Sequence, residues 1–192
     1  MFDKIVEADR SLLLFLNSLH FPLGDKIMLF FTAALPWIPL YIAIAYYIVH
    51  KYYTVDKKPK YAFIVITAAI IVFAITDMGS SFIKDLTERY RPGHDNDLKN
   101  MVRLLDGTGG RYGFVSSHAS NVFGLATFTS LLFRKRYYSI SIYTWAFLVS
   151  YSRIYVGRHF PADVFFGAIL GMIAGYALYK LLSMRVIKKY YS

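Results

Sequence analysis

The stretch ADVFFGAILGMIAGYALYKLL, residues 162–182, decides the fold of this chain. After Asp163 it carries no charge until its last turn, and crossing the hydrocarbon core of a membrane takes about 20 apolar residues. Gly167, Gly171 and Gly175 recur every four residues, a spacing that lets a second helix approach closely. We therefore predict a membrane helix that packs against a neighbour inside a bundle.

Four more apolar segments precede this helix. They lie at 27–49, 61–83, 118–133 and 138–152. Two of them are short, but a span needs fewer apolar residues where its end is buried in protein. Pro36 and Pro39 predict a kink in the first segment. The predicted fold class is all-α: a polytopic membrane helix bundle with about five spanning helices, forming one domain over residues 1–192.

Residues 1–20 predict a helix of another kind. Its apolar residues include Ile5, Leu12, Leu13 and Leu16, and its charged residues include Asp3, Glu7 and Arg10. This pattern is typical of an amphipathic helix that lies in the membrane interface. A cleaved signal peptide is not expected, because charges interrupt the segment and its apolar run is too short.

The composition supports a membrane protein. Of 192 residues, 56% are hydrophobic and 18% aromatic, which is more apolar surface than a soluble protein of this size could bury. The absence of cysteine excludes disulfides and thiolate metal sites.

The net charge of +10 indicates an orientation. Lys and Arg are equally frequent on the two predicted faces, but Asp56 is the only acidic residue on the face that holds the 50–60 loop, the 134–137 turn and the tail. Cations in short loops favour the cytoplasmic side. We expect this basic face to lie on the cytoplasmic side of a bacterial inner membrane and the opposite face to point toward the periplasm or exterior.

A lysine and an arginine follow the second span, seven residues apart. Lys84 and Arg91 share a face if the helix continues through both. A cation at a span end can reach toward lipid headgroups. Alternatively, the planar guanidinium and the ammonium can together clamp a phosphate.

The triplet Ser116-Ser117-His118 opens the third span. Ser116 is predicted to cap the helix, and the unpaired N–H groups of a first helical turn form a ready anion site. An ordinary cap followed by an interfacial histidine fits the triplet equally well.

A third motif comprises Ser152-Arg153, His159 and Asp163. His159 precedes a helix predicted to begin at Pro161, and Asp163 lies four residues on, so their side chains can meet. A carboxylate that accepts the Nδ1 proton leaves Nε2 free as a nucleophile; a structural His–Asp contact is the alternative. Because all three motifs fall on one predicted membrane face, together they point to binding a phosphate and breaking its ester bond.

These motifs resemble those of the type 2 phosphatidic acid phosphatase superfamily, which includes lipid phosphatases and vanadium haloperoxidases. The family pattern is a Lys, six residues, then Arg-Pro; a Pro-Ser-Gly-His; and a Ser-Arg, five residues, His, three residues, Asp. The matching residues here are Lys84, Arg91, Pro92, Ser116, His118, Ser152, Arg153, His159 and Asp163. Val115 and Ser117 stand where the family has Pro and Gly, so a side chain occupies a place where glycine lets the backbone approach phosphate.

The resemblance implies a mechanism. The residues that would bind the phosphate oxygens are Lys84, Arg91, Ser116, Ser117 and Arg153. His159 would attack phosphorus and form a phosphohistidine, with Asp163 orienting it. His118 would protonate the leaving oxygen and then activate water. No metal and no other cofactor is expected.

The substrate is expected to be an amphipathic lipid phosphate whose tails stay in the bilayer. Undecaprenyl diphosphate is the first expectation, and lipid A phosphates come close behind. Phosphatidylglycerol phosphate and phosphatidic acid are further candidates. Transfer of the phosphate to a lipid or sugar hydroxyl is an alternative reaction, and a small channel with a basic vestibule is a non-enzymatic one.

Membrane lipids are the expected partners, without nucleic acid. The oligomeric state is open, because the glycine stripe fits a neighbour in the same chain or in a second copy. The long polar connection 92–115 is expected either to cover a binding site or to be a plain surface loop, with a short helix near 97–105.

Overall fold

The computed structural model describes residues 2–184, and every regular element within them is a helix. The α-helices are α1 Phe2–Ser18, α2 Pro22–Thr32, α3 Ile38–Val49, α4 Pro59–Thr87, α5 Ser117–Phe133, α6 Arg136–Tyr155 and α7 Pro161–Leu182. Two short 3₁₀ helices, Leu35–Trp37 and Pro92–His94, and a π-helical turn, His50–Val55, complete the set. The all-α prediction is confirmed. The basic tail predicted on the cytoplasmic face lies largely outside the described residues.

The predicted first span, 27–49, is not one helix. α2 ends at Thr32, the 3₁₀ helix Leu35–Trp37 follows, and α3 begins after it. Proline lacks a backbone N–H and its ring clashes with the preceding turn of a helix. Pro36 therefore lies in the 3₁₀ helix and Pro39 in the first turn of α3, so the prolines end one helix and start another where a kink was predicted.

Two helices are long and apolar enough to cross a membrane, judged by length and composition. These are α4 and α7, whose most apolar 18-residue windows have mean hydropathies of 2.2 and 1.7. α1 and α2, bent by 117° at their junction, pass the same test as a pair. The described residues thus hold two such helices, or three if the bent pair counts as one.

The centre of the bundle is α5, in which 11 of 17 residues are buried. α7 packs along it through the glycine stripe. A methyl group added to Gly167 would lie 2.6 Å from the carbonyl oxygen of Ser116. A methyl group added to Gly175 would lie 2.5 Å from the carbonyl oxygen of Gly124. Cβ atoms essentially never come within 3.0 Å of a neighbouring heavy atom, so the packing of α7 on α5 requires glycine at these positions. The close neighbour predicted for α7 is thus α5 of the same chain.

The outer surface of α4 is apolar. Phe63, Phe73 and Phe82 are 73%, 57% and 68% exposed. Exposed apolar surface on this scale is unusual for a soluble monomer and is the expected surface of a helix that faces lipid.

The N-terminal helix α1 is joined to the bundle by apolar and polar contacts. Leu13 is fully buried, in one cluster with Leu98 of the long connection. Asn17 donates to the Tyr155 carbonyl at 2.8 Å and accepts from the Arg103 N–H at 2.8 Å. The predicted helix is confirmed, but part of its polar face contacts protein.

The connection between α4 and α5 carries the 3₁₀ helix Pro92–His94 and then hydrogen-bonded turns over 96–101. The helix predicted near 97–105 does not form. Arg103 in this segment pairs with Asp25 of α2 at 2.5 Å, and Arg10 of α1 pairs with Asp95 at 2.8 Å. These ion pairs attach the connection to α1 and α2.

Candidate active site

A cavity of about 450 Å³ lies where the three motifs meet. Five of the eight predicted site residues line it, namely Arg91, Ser117, His118, Arg153 and His159. The two imidazoles therefore face one space. Ser116 and Asp163 are fully buried beside it, and Lys84 contacts Ser117.

The loop between α6 and α7 places His159. α6 ends at Tyr155, and Gly157 adopts a left-handed conformation with φ of 79°, which glycine tolerates best. The carbonyl of Arg153 then accepts hydrogen bonds from the N–H groups of Arg158 at 2.9 Å and His159 at 3.2 Å. The turn thus folds His159 back over the end of α6.

Asp163 meets His159 as the spacing predicted. Its Oδ2 lies 3.4 Å from His159 Nδ1 and accepts from the Phe160 N–H at 3.0 Å. Asp163 stands at the third position of α7, where an acidic side chain commonly reaches back to the residue before the helix. We assign the Nδ1–H tautomer to His159, because a carboxylate faces that atom, and this leaves the Nε2 lone pair free.

His159 is held neutral by its surroundings. Burial, together with the nearby positive charges of Arg91, Arg153 and Lys84, lowers the pKa of His159 well below 6.5. Only a neutral imidazole has a lone pair for attack on phosphorus. The same cations that lower this pKa are suited to bind a phosphate.

Lys84 and Arg91 reach the site in a way that the helical spacing did not predict. α4 ends at Thr87 and Glu88 is left-handed, with φ of 47°. The helix therefore does not continue through both cations, and they do not share a helix face. Arg91 enters from the following loop, where its Nε donates to the Tyr112 carbonyl at 2.9 Å.

The serine pair opens α5 as predicted. Ser116 is the N-cap, and its Oγ accepts from the Ala119 N–H at 3.5 Å. Ser117 Oγ accepts from Lys84 Nζ and from Ser80 Oγ, the latter at 2.7 Å. The hydroxyl that replaces the family glycine thus binds a cation of α4.

Two arginines in the cavity wall carry buried N–H groups without a partner. Within residues 2–184, the Nε atoms of Arg153 and Arg158 have no hydrogen-bond acceptor, although a buried unpaired donor costs about 1–3 kcal/mol. The Oδ2 atom of Asp106 lies 3.7 Å from Arg153 Nη1 and 3.0 Å from Arg158 Nη2. Arg158 was not among the predicted site residues, although it directly precedes His159.

An apolar cavity of about 440 Å³ adjoins the polar one. It lies between α3, α4, α5 and α6, and both cavities share Tyr41, Phe73, Asn121 and Val122 as lining residues. The site therefore places a space lined by cationic side chains next to an apolar one.

No group of three or more His, Cys, Asp and Glu side chains within residues 2–184 is arranged to hold a metal ion. An apolar helix bundle with two imidazoles, three guanidinium groups and a serine hydroxyl lining one cavity is typical of a membrane-bound phosphatase. The chain belongs to the PAP2 superfamily, whose family model matches residues 60–187.

Curated relatives from two bacteria extend this result. The chain is 40% identical over 181 residues to a lipid A 4'-phosphatase of Bacteroides thetaiotaomicron, covering 93% of this chain and 79% of the relative. It is 37% identical to a lipid A 4'-phosphatase of Porphyromonas gingivalis, covering 93% and 75%. The protein is thus a lipid phosphatase of the PAP2 superfamily.

Solved structures show the same fold. LpxE of Aquifex aeolicus superposes with a TM-score of 0.68 at 26% identity, covering 88% of this chain and 93% of that one. A PAP2-type phosphatidylglycerolphosphate phosphatase from Bacillus subtilis superposes with a TM-score of 0.71 at 22% identity, covering 95% and 88%.

Proposed function

We propose that this protein removes the 4'-phosphate of lipid A. The observation that carries the proposal is the 40% identity, over 93% of the chain, to a relative with that activity. Undecaprenyl diphosphate, the substrate first expected from the sequence, has no support among these relatives, and lipid A replaces it.

The proposed reaction proceeds through a phosphohistidine. His159 Nε2 attacks phosphorus, and the P–O bond to the sugar breaks as His118 donates a proton to the departing oxygen. His118 then takes a proton from water, which attacks the phosphohistidine and releases inorganic phosphate and neutral His159. Asp163 holds the Nδ1–H throughout. No step requires a metal.

The phosphate fits the cations around the cavity. Arg153 is only 5% exposed at its side chain, and its unpaired Nε can donate to a phosphate oxygen. Lys84, Arg91 and Arg153 together stabilise negative charge that spreads over the equatorial oxygens in the transition state. Ser116 and Ser117, at the start of α5, complete the proposed phosphate site.

The lipid part of the substrate fits the adjoining apolar cavity. Because Tyr41 and Phe73 line both spaces, a headgroup phosphate can lie at His159 while apolar surface lies between the helices. A soluble phosphate ester would leave that apolar space without a matching group.

We further propose an arrangement in the membrane. α4 to α7 and the broken segment α2–α3 provide about five crossings, with α1 in the interface. The short basic turns then lie on the cytoplasmic side of the inner membrane, and the active site opens to the periplasm. α5 and α6 can cross despite their polar residues because neighbouring helices bury them.

The proposal is tested by phosphate release from purified protein in detergent. Separate reactions contain hexa-acylated lipid A, undecaprenyl diphosphate or phosphatidylglycerol phosphate, each with and without a chelator. Mass spectrometry measures the loss of one phosphate, and fragmentation of the lipid A product locates it on the distal or the reducing sugar. The matched control is His159→Gln.

Loss of the distal phosphate, insensitive to chelator and absent in the control, is the expected result. Faster turnover of undecaprenyl diphosphate with lipid A left intact would overturn the substrate. Labelled phosphate that appears on an acceptor lipid, and not in solution, would show transfer in place of hydrolysis.

A further inference from the structure

The buried carboxylate of Asp163 divides its two oxygens between different partners. Oδ2 faces the ring of His159 and the N–H of Phe160. Oδ1 accepts from Arg89 Nη1 at 2.7 Å. The side chain of Asp163 is 0% exposed, so protein groups alone solvate it.

An ionised carboxylate in such a place needs a contacting cation, because a buried unpaired charge is costly. His159 is neutral, and Lys84 and Arg91 act on Asp163 only through longer-range electrostatics. Among the described residues, the guanidinium in salt-bridge contact with Asp163 is that of Arg89.

Arg89 is itself held on two further sides. Its Nη2 donates to Asp9 Oδ2 at 2.5 Å, and its guanidinium lies 4.2 Å from the centre of the Phe160 ring. Asp9 belongs to α1, and its other oxygen accepts from the Ala162 N–H at 2.8 Å. Asp9 therefore binds both Arg89 and the first turn of α7.

We infer that Arg89, held by Asp9, is a positioning residue that keeps Asp163 ionised and aimed at His159. α1 thereby becomes part of the catalytic structure, since it supplies the carboxylate that fixes the guanidinium. Arg89 does not line the cavity that holds the two imidazoles; it acts through Asp163. This inference rests on the proposed phosphatase function and adds two residues outside the family motifs.

The consequence for catalysis concerns the proton on His159 Nδ1. An ionised Asp163 accepts the hydrogen bond from Nδ1–H and stabilises the imidazole as positive charge develops during attack. Without Arg89, Asp163 takes up a proton more readily, and a neutral carboxyl is a weaker acceptor. The groups facing Asp163 would then be His159, the Phe160 N–H and, at longer range, Lys84 and Arg91.

The experiment compares Arg89→Met, Arg89→Lys and Asp9→Asn with the wild type in the full-length protein. The substrate is the lipid phosphate on which the wild type is active, and kcat, KM and the pH dependence of kcat/KM are measured. A misplacement of about 1 Å at a catalytic group can cost about 10²-fold. We expect kcat of Arg89→Met to fall by about that factor with little change in KM, and the acid limb of its profile to move to higher pH.

Arg89→Lys keeps a cation and should recover part of the lost kcat. Asp9→Asn keeps an oxygen for the Ala162 N–H but removes the charge that holds Arg89, so an intermediate loss is expected. The matched control is Arg10→Gln, which removes a neighbouring cation of α1 that pairs with Asp95 and Asp97.

The outcomes separate the two proposals. A wild type that releases no phosphate from any lipid would contradict the proposed function. An active wild type whose Arg89→Met variant keeps kcat and the pH profile would overturn the role of Arg89. If Arg89→Met does not fold, Asp9→Asn decides: unchanged kcat and an unmoved acid limb would reject the inference, and a loss that Arg10→Gln lacks supports it.

Discussion

Lys84 donates a hydrogen bond to the hydroxyl of Ser117, so the last turn of α4 and the first turn of α5 meet at the wall of the cavity that holds both imidazoles. The serine stands where the superfamily pattern has glycine. Ser80 also donates to this hydroxyl, so Ser117 Oγ of α5 accepts hydrogen bonds from two side chains of α4.

Replacing Ser117 by Ala should weaken phosphate binding. A hydrogen bond to a charged group contributes about 1.5–3 kcal/mol, and about 1.4 kcal/mol corresponds to a factor of ten. We expect kcat/KM to fall about tenfold, measured by phosphate release. The control Ser80→Ala removes only the second partner and should cost less. A Ser117→Gly variant more active than the wild type would instead show that the hydroxyl draws Lys84 away from the phosphate.

Replacing His118 by Ala should slow loss of the leaving group by about 10²–10⁴-fold, the usual contribution of a general acid. With an aryl phosphate, whose leaving group needs no proton, the substitution should slow release of the leaving group far less. A stopped-flow assay of the released phenol measures this rate. Equal losses for both substrates would contradict the acid role. Because hydrolysis of the phosphoenzyme is slowed as well, phosphate should be trapped on His159 and recovered by acid-free peptide mapping.

Adding a methyl group at Gly175 should destabilise the bundle. The new carbon would lie 2.5 Å from the Gly124 carbonyl oxygen, and overpacking of this kind costs about 1–3 kcal/mol. We expect a lower midpoint of thermal unfolding in detergent for Gly175→Ala. The matched control is Gly79→Ala on α4, where the nearest atom is 4.0 Å away. Similar midpoints for both variants would mean that α5 and α7 separate easily.

The low pKa of His159 predicts a dependence of stability on pH. The folded protein keeps this ring neutral well below pH 6.5, whereas the unfolded chain takes up the proton near 6.5. The contribution of His159 is therefore fully present above pH 6.5 and is lost as the pH falls from there toward the folded pKa. Between pH 7 and 5 the unfolding midpoint of the wild type should fall more than that of His159→Gln, measured by calorimetry in one detergent. A larger fall in the variant would contradict this sign.

The motifs could be found from the sequence because each is local. The four-residue step from His159 to Asp163 and the capping position of Ser116 both follow from helix geometry, and the structure shows the contact and the cap. Lys84 and Arg91 come together for a different reason than the shared helix face that their seven-residue spacing suggested. Their convergence depends on a chain reversal at Glu88, which a helical period does not describe.

Other parts of the site could not be predicted from spacing. Arg153 bonds to Thr32, which lies beside the break between α2 and α3, and this break forms one wall of the cavity. Prolines indicate that a helix is interrupted, but they do not indicate which part of the structure the two helix ends pack against. The pairing of Arg89 with Asp9 joins residues far apart in the chain, and nothing local marks either as part of a site.

The sequence by itself determined the apolar helices, the glycine stripe and the candidate groups for phosphate chemistry, because composition, helical period and motif spacing act within one segment. Only the tertiary structure decided that the stripe packs on α5, that both imidazoles line one cavity, and that a carboxylate of α1 reaches the arginine behind Asp163. The physical reason is that burial and charge pairing depend on which segments meet. Those contacts join residues that are far apart in the chain, so the spacing of residues along the sequence does not predict them.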